Sequence, residues 1–223
     1  MGDVNQVCAG AVLALDISMC VVDKAMEVGA NLIITHHPLL FNPTKTVTPD
    51  TREGLLIIKL IQNNIILYST HTPIDKAEGG INTRLAEILG LSQIVPLDPV
   101  SLIGRVGMCK LTTYENIVDK LKGALPITTV RKSIEAKEMK FEKVAVCGGS
   151  GGSLIDSAID AGAQVYITGD LKYSHFVEYE GRITLIDIGH FESEVQFCDI
   201  LFSLLSNIFP NFAIQTILTN PFQ

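Results

Sequence analysis

Three things are scarce in this chain of 223 residues: positive charge, histidine and long uninterrupted apolar stretches. Lys and Arg total 17 against 24 Asp and Glu, a formal net charge of −7, and no dense Lys/Arg cluster occurs. A protein that grips nucleic acid through its phosphates presents a basic face, so direct nucleic-acid binding is not expected. No apolar run reaches the roughly 18 residues of a membrane span, and no membrane partner is expected. The N-terminus is apolar but has no Lys or Arg and is interrupted by Asp3 and Asp16, a poor pattern for a signal peptide. The five cysteines, Cys8, Cys20, Cys109, Cys147 and Cys198, are odd in number, far apart and form no C-x-x-C pair. They suit reduced core thiols of a cytoplasmic protein better than a disulfide framework.

What is abundant is apolar residue, 47% against 18% charged, enough for a substantial core. It is distributed as short runs. Residues 11–15 are a continuous apolar run, the mark of a strand buried on both faces. Ser18 offers a helix N-cap, Val21, Val22, Ala25 and Met26 fall on one helical face, and Gly29 supplies the stop before a second apolar run over 32–35. This is a βαβ unit, whose strands should be parallel. The alternation continues: a helix from a capping box of Asp50 and Glu53 to about 63, a strand over 65–69, and a helix from Gly79 and Gly80 to about 89. A turn-rich stretch over 96–101 looks like a boundary. Beyond it the pattern predicts strands near 105–111, 127–131, 143–147, 165–168, 184–188 and 212–217, with helices over 115–125, 154–161 and 192–208. The fold class is α/β.

Residues 22–37, VDKAMEVGANLIITHH, and 155–170, IDSAIDAGAQVYITGD, align without gaps, matching at Asp23/Asp156, Ala25/Ala158, Gly29/Gly162, Ala30/Ala163, Ile34/Ile167 and Thr35/Thr168. Either any α/β unit uses such residues, or the chain has two related halves in which His37 and Asp170 occupy matching places.

All five histidines lie at or near the ends of predicted elements. His36 and His37 follow the second strand, His71 the third and His190 the strand over 184–188, while His175 lies one turn beyond Asp170. Ligands of open parallel sheets bind beyond the carboxyl ends of the strands, so His36, His37, His71 and His190 should gather at one edge. Asp75 stands four residues after His71 and Glu194 four after His190. Imidazoles with carboxylates are the ligand set of Zn, Mn, Fe or Co. Adjacent histidines on an extended chain point to opposite sides and could each feed a different ion. The alternative is that each is a structural histidine with its own partners.

The motifs ITHHPLLF (34–41), HTPID (71–75), GGSGGSLIDSA (148–158), TGDLKYSH (168–175) and GHFESE (189–194) resemble, in order and spacing, the Nif-three-like family, many of whose members carry the name GTP cyclohydrolase 1 type 2 homolog. The resemblance implies two similar α/β lobes with largely parallel sheets facing a central dimetal cleft. The lobes would span 1–98, completed by 205–223, and 99–204. It also implies a ring-shaped hexamer built from dimers. It makes His36, His37, Asp75, His190 and Glu194 ligands of two divalent ions per chain, with His71 and His175 lining the pocket. Pro73 departs from the family's HTNLD, removing one backbone N–H while leaving Asp75. An N-terminal segment and a large inserted domain found in family members are not expected in this chain.

A metal-dependent hydrolase follows from that resemblance, with His71, His175 and Asp170 as candidate catalytic residues, since imidazole moves protons near neutral pH. Gly148, Gly149, Ser150 and Gly151 lead into a helix, and their amides could hold a phosphate. No Lys-Ser/Thr follows, so this is not a P-loop, and a plain strand–helix turn is the competing interpretation. The substrate class would be a nucleotide or another phosphorylated small molecule. The rival function is non-enzymatic: a metal-binding scaffold, a metal-delivery protein or a regulatory protein.

Overall fold

The computed structural model describes residues 1–134 and 139–220. The chain divides into two compact units, Met1–His71 with Phe197–Gln223, and Thr72–Gln196. The predicted completion of the first lobe by 205–223 therefore falls partly outside the described residues.

The first unit is a four-stranded sheet in the order β10-β1-β2-β3, formed by β1 (Ala11–Ala14), β2 (Leu32–Thr35), β3 (Ile66–Ser69) and β10 (Ile214–Thr216), parallel throughout. All of β1 is buried, as its continuous apolar run requires of a central strand covered on both faces. Val12, Ala14, Ile33 and Leu67 point to one face and meet Val21, Ala25, Leu56 and Leu60 of α1 (Met19–Glu27) and α2 (Arg52–Gln62). Helix α9 (Phe197–Ile208) packs against β1 and β10. The Ser18 side chain caps α1 by accepting from the Val21 N–H. The cap of α2 is Thr51, one residue after the expected Asp50. Its hydroxyl accepts from the Gly54 N–H at 3.0 Å, and Glu53 joins the first turn.

The second unit is a six-stranded sheet in the order β4-β5-β7-β8-β9-β6. Its strands are β4 (Ser92–Pro96), β5 (Arg105–Thr113), β6 (Arg131–Lys132), β7 (Lys140–Ser150), β8 (Val165–Gly169) and β9 (Thr184–Asp187). Helices α3 (His71–Lys76), α4 (Ile81–Ile88), α5 (Tyr114–Ala124), α6 (Ile155–Asp160), α7 (Tyr173–Glu178) and α8 (His190–Glu194) accompany it. Only β7–β8 and β8–β9 are parallel; β4–β5, β5–β7 and β6–β9 are antiparallel. The expectation of largely parallel sheets thus holds for the first unit and is corrected for the second. Strand β4 escaped the sequence pattern because it is mostly exposed and Gln93 breaks its register at φ +52°. Its pairing with β5 places the segment from Thr72 to Leu97 in this unit rather than with the first lobe.

The internal repeat is real at the level of local structure. Gly29 and Gly162 both take left-handed φ, +68° and +72°, and the next residue closes the turn identically, Ala30 N–H to Ala25 O and Ala163 N–H to Ala158 O, each at 2.9 Å. The helix expected over 192–208 is two helices. Gly189, at φ +91°, starts α8 early enough to include His190, and the Gln196 side chain donates to the Ser193 carbonyl where α8 ends.

Arg105 is buried, and among the described residues its hydrogen bonds reach no carboxylate. Its guanidinium donates to the carbonyls of Lys76, Ala77, Leu102 and Gly104 and to the Thr83 hydroxyl, fixing the turn that follows α3. Among the described residues no helix is long and apolar enough to cross a membrane.

Candidate metal centre

In the first unit β1, β2 and β3 end side by side, because Ala14 pairs with Thr35 and Thr35 with Ser69. The residues that follow, Asp16, His36, His37 and His71, are therefore delivered to the carboxyl edge of a parallel sheet. The backbone N–H groups of His36 and His37 both donate to the Leu15 carbonyl, at 3.2 and 3.1 Å. The buried Thr35 hydroxyl donates to the His37 carbonyl at 2.7 Å and lies 2.9 Å from Ser69 Oγ. Ring centroids stand 4.8 Å apart for His36–His37, 5.0 Å for His36–His71 and 5.7 Å for His37–His71. One nitrogen from each ring lies within 4.8 Å of the other two. His36 is fully buried, with the Phe197 ring 5.3 Å away. Asp16 Oδ1 sits 2.9 Å from His37 Nδ1, which takes that N–H and directs the lone pair to Nε2. Three imidazoles packed this closely would repel one another if protonated. As neutral donors they suit a divalent ion of the transition series.

In the second unit α8 sets His190 and Glu194 one turn apart on one face, with Nε2 and Oε2 at 3.1 Å. Asp170, at φ +54° beyond β8, accepts from His190 Nδ1 at 2.7 Å. The hydrogen bond to Glu194 raises the His190 pKa from 6.5 to about 9; burial opposes this and Asp170 adds to it. Glu194 is only 3% exposed, and one of its oxygens lies within 4.8 Å of an Asp75 oxygen. Burial, with those two carboxylates adding, pushes the neighbouring Cys147 thiol up to about 12. A close backbone approach completes this pocket. Gly149 has φ +66°, and a Cβ there would stand 2.2 Å from Glu194 Oε1. The buried Glu194, with the His190 imidazole at 3.1 Å and a half-buried Asp75 oxygen within 4.8 Å, offers donors of the kind that fit a divalent cation.

A family model described as Duf34/NIF3 (NGG1p interacting factor 3) matches residues 1–221. The chain belongs to the Duf34/NIF3 family. It is 40% identical to a Clostridium perfringens protein named GTP cyclohydrolase 1 type 2 homolog, over 87% of this chain and 76% of that one. A Campylobacter jejuni protein of the same name is 36% identical over 100% of this chain and 88% of its own. The fold is similar to a Staphylococcus aureus hypothetical protein, TM-score 0.87 at 30% identity, covering 100% of this chain and 89% of that one. It is also similar to reduced HcgD from Methanocaldococcus jannaschii, TM-score 0.85 at 30% identity, covering 97% and 86%.

In this Duf34/NIF3 chain the remaining predicted residues hold other places. His175 lies on α7, its Nδ1 accepting from the Lys172 N–H at 3.1 Å and its ring filling the space that a side chain at Gly152 would need. Asp170 orients His190. Gly148, Gly149 and Ser150 end β7 rather than form a loop, and Ser150 pairs with Gly169. The amides of Gly148, Gly149 and Gly151 donate to Asn82 Oδ1, Ser193 Oγ and Thr168 Oγ1 at 2.7, 2.9 and 3.0 Å. Those three N–H groups are engaged within the protein, and the run packs closely against Glu194.

Sequence reasoning missed Asp16 and Asp187. Asp187 is buried, accepts from the Leu171 N–H at 2.9 Å and the Gly189 N–H at 3.0 Å, and pairs with Arg131. It therefore fixes the backbone beside both Asp170 and His190. Each acid lies at or just beyond a strand end, the signal that located the histidines and would have located these too.

Proposed function

We propose that this protein holds two divalent metal ions through His36, His37, Asp75, His190 and Glu194 and uses them to hydrolyse a nucleotide or another phosphorylated small molecule. The observation that carries the proposal is the gathering of donors within each unit, His36 and His37 with ring centroids 4.8 Å apart in the first, and the buried Glu194 at 3.1 Å from His190 and within 4.8 Å of Asp75 in the second. Ions bound there supply Lewis acidity and make water nucleophilic near neutral pH. Zn, Mn, Fe and Co all suit nitrogen and carboxylate donors.

The chain's own residues have separable tasks. Asp16 holds His37, and Asp170 holds His190, each through Nδ1, so that Nε2 is the donor atom. Asp75 and Glu194 bring negative charge that offsets the cations. His71 and His175 each offer an imidazole that can carry a proton. The names of the relatives direct the first substrate trials to GTP. Protein loaded in turn with Zn, Mn, Fe and Co is offered GTP, other nucleotides and sugar phosphates, with ring opening followed by ultraviolet absorbance and phosphate release by colorimetry. Turnover that a chelator abolishes and the metal restores is expected. Fully loaded protein inert toward every compound would leave a metal-binding scaffold in place of an enzyme.

A further inference from the structure

Asn82 is fully buried on α4, and its carboxamide is used at both ends. Nδ2 donates to the backbone carbonyl of Asp75 at 3.0 Å, and Oδ1 accepts from the Gly148 N–H at 2.7 Å. A carbonyl can only accept and an N–H only donate, so both partners fix the orientation of the amide. The chain of bonds continues: the Gly149 N–H donates to Ser193 Oγ at 2.9 Å, and the Ser193 hydroxyl donates to the His190 carbonyl at 2.7 Å. Ser193 is also fully buried. Gly149 is the residue whose α-carbon lies against the Glu194 carboxylate. One buried network therefore runs from the residue bearing one carboxylate, through the end of β7, to the helix bearing the other.

We propose that Asn82 is a positioning residue for metal binding. By tying the Asp75 backbone to the Gly148–Gly149 segment, it sets the separation of the Asp75 and Glu194 carboxylates. The inference rests on the assignment of those carboxylates as metal ligands. Only a side chain with a donor and an acceptor on one rigid plane does this. Leucine offers neither, and aspartate keeps the acceptor for Gly148 but sets a carboxylate oxygen against the Asp75 carbonyl. Partners that orient metal ligands are worth about 10- to 100-fold in affinity.

The test is a Co(II) titration of the metal-free full chain, read by visible absorption, for Asn82→Asp alone, Asp75→Ala alone and the two together. Asn82→Asp should weaken Co(II) binding at least about tenfold and alter the absorption band, which reports coordination geometry. Once Asp75 is alanine, Asn82→Asp should add no further loss, because the effect travels through Asp75. An equal loss in both backgrounds marks a general structural effect and overturns the proposal, as does no loss at all. If the wild type binds no Co(II), or Asp75→Ala binds it as the wild type does, the ligand assignment fails and takes this proposal with it. Should Asn82→Asp lose its far-UV circular dichroism, Ser193→Ala cuts the same network at its other end. Weakened binding there supports the proposal, and unchanged binding overturns it.

Discussion

Replacing Gly149 by alanine puts one methyl group where the second unit has no room for it. The backbone at Gly149 has φ +66°, and a left-handed conformation costs an L-residue about 1–2 kcal/mol. The added Cβ would lie 2.2 Å from Glu194 Oε1, 3.1 Å from its Cδ and 3.3 Å from His190 Nε2. The nearest oxygen must retreat beyond 3.0 Å, yet Glu194 is 3% exposed and surrounded by protein. Overpacking of this kind adds about 1–3 kcal/mol, for a total loss of about 2–5 kcal/mol. Gly181→Ala is the control in the same unit. It has the same backbone penalty at φ +71°, with no heavy atom of the described residues within 4 Å of the new carbon. Urea unfolding in the presence of a chelator gives the stability of both variants, and a Co(II) titration gives their metal affinity. Gly149→Ala should be the less stable of the two and bind at least about tenfold more weakly, while Gly181→Ala binds like the wild type. Equal stabilities together with equal affinities would refute the claim that this glycine is required by the Glu194 carboxylate.

Other perturbations test the parts separately. In the metal-free protein His190 has its pKa raised from 6.5 to about 9. The charged form thus contributes stability that is fully present below pH 6.5 and is lost as pH rises through 9. A metal ion must displace that proton, so Zn uptake at pH 7.5 should release it and affinity should improve up to about pH 9. Calorimetry in buffers of different ionisation enthalpy that shows no proton release would contradict this. Asp16→Asn should weaken metal binding about tenfold through the orientation of His37, with little change in melting temperature; unchanged affinity removes Asp16 from the site. Arg105→Met should cost about 3 kcal/mol in urea unfolding, because it takes the donor from one buried and three part-buried carbonyls; a loss below about 1 kcal/mol would mean that water replaces the guanidinium.

The first unit was largely legible in the sequence because its parallel strands are short apolar runs, and such runs deliver the next residue to one edge. That logic places His36, His37 and His71 at the carboxyl edge of the sheet. It failed where pattern and pairing part company: β4 is exposed and irregular, so nothing in its composition announced the antiparallel edge of the second sheet. The glycine run at 148–151 is ambiguous in sequence for a related reason. Glycine signals close approach, but not by what, and here the approaching group is Glu194 from 45 residues away in the chain. Asn82 left no signal at all, since both its partners come from other segments.

The proposed function requires that the chain bind divalent metal through His36, His37, Asp75, His190 and Glu194. Metal content per chain, measured by elemental mass spectrometry on protein purified without chelators or a histidine tag, tests it most directly. About two equivalents of transition metal are expected, reduced in His37→Ala and in Glu194→Ala while far-UV circular dichroism is unchanged. Near-zero metal that persists after incubation with Zn, Mn, Fe and Co, or full occupancy in both variants, would contradict it.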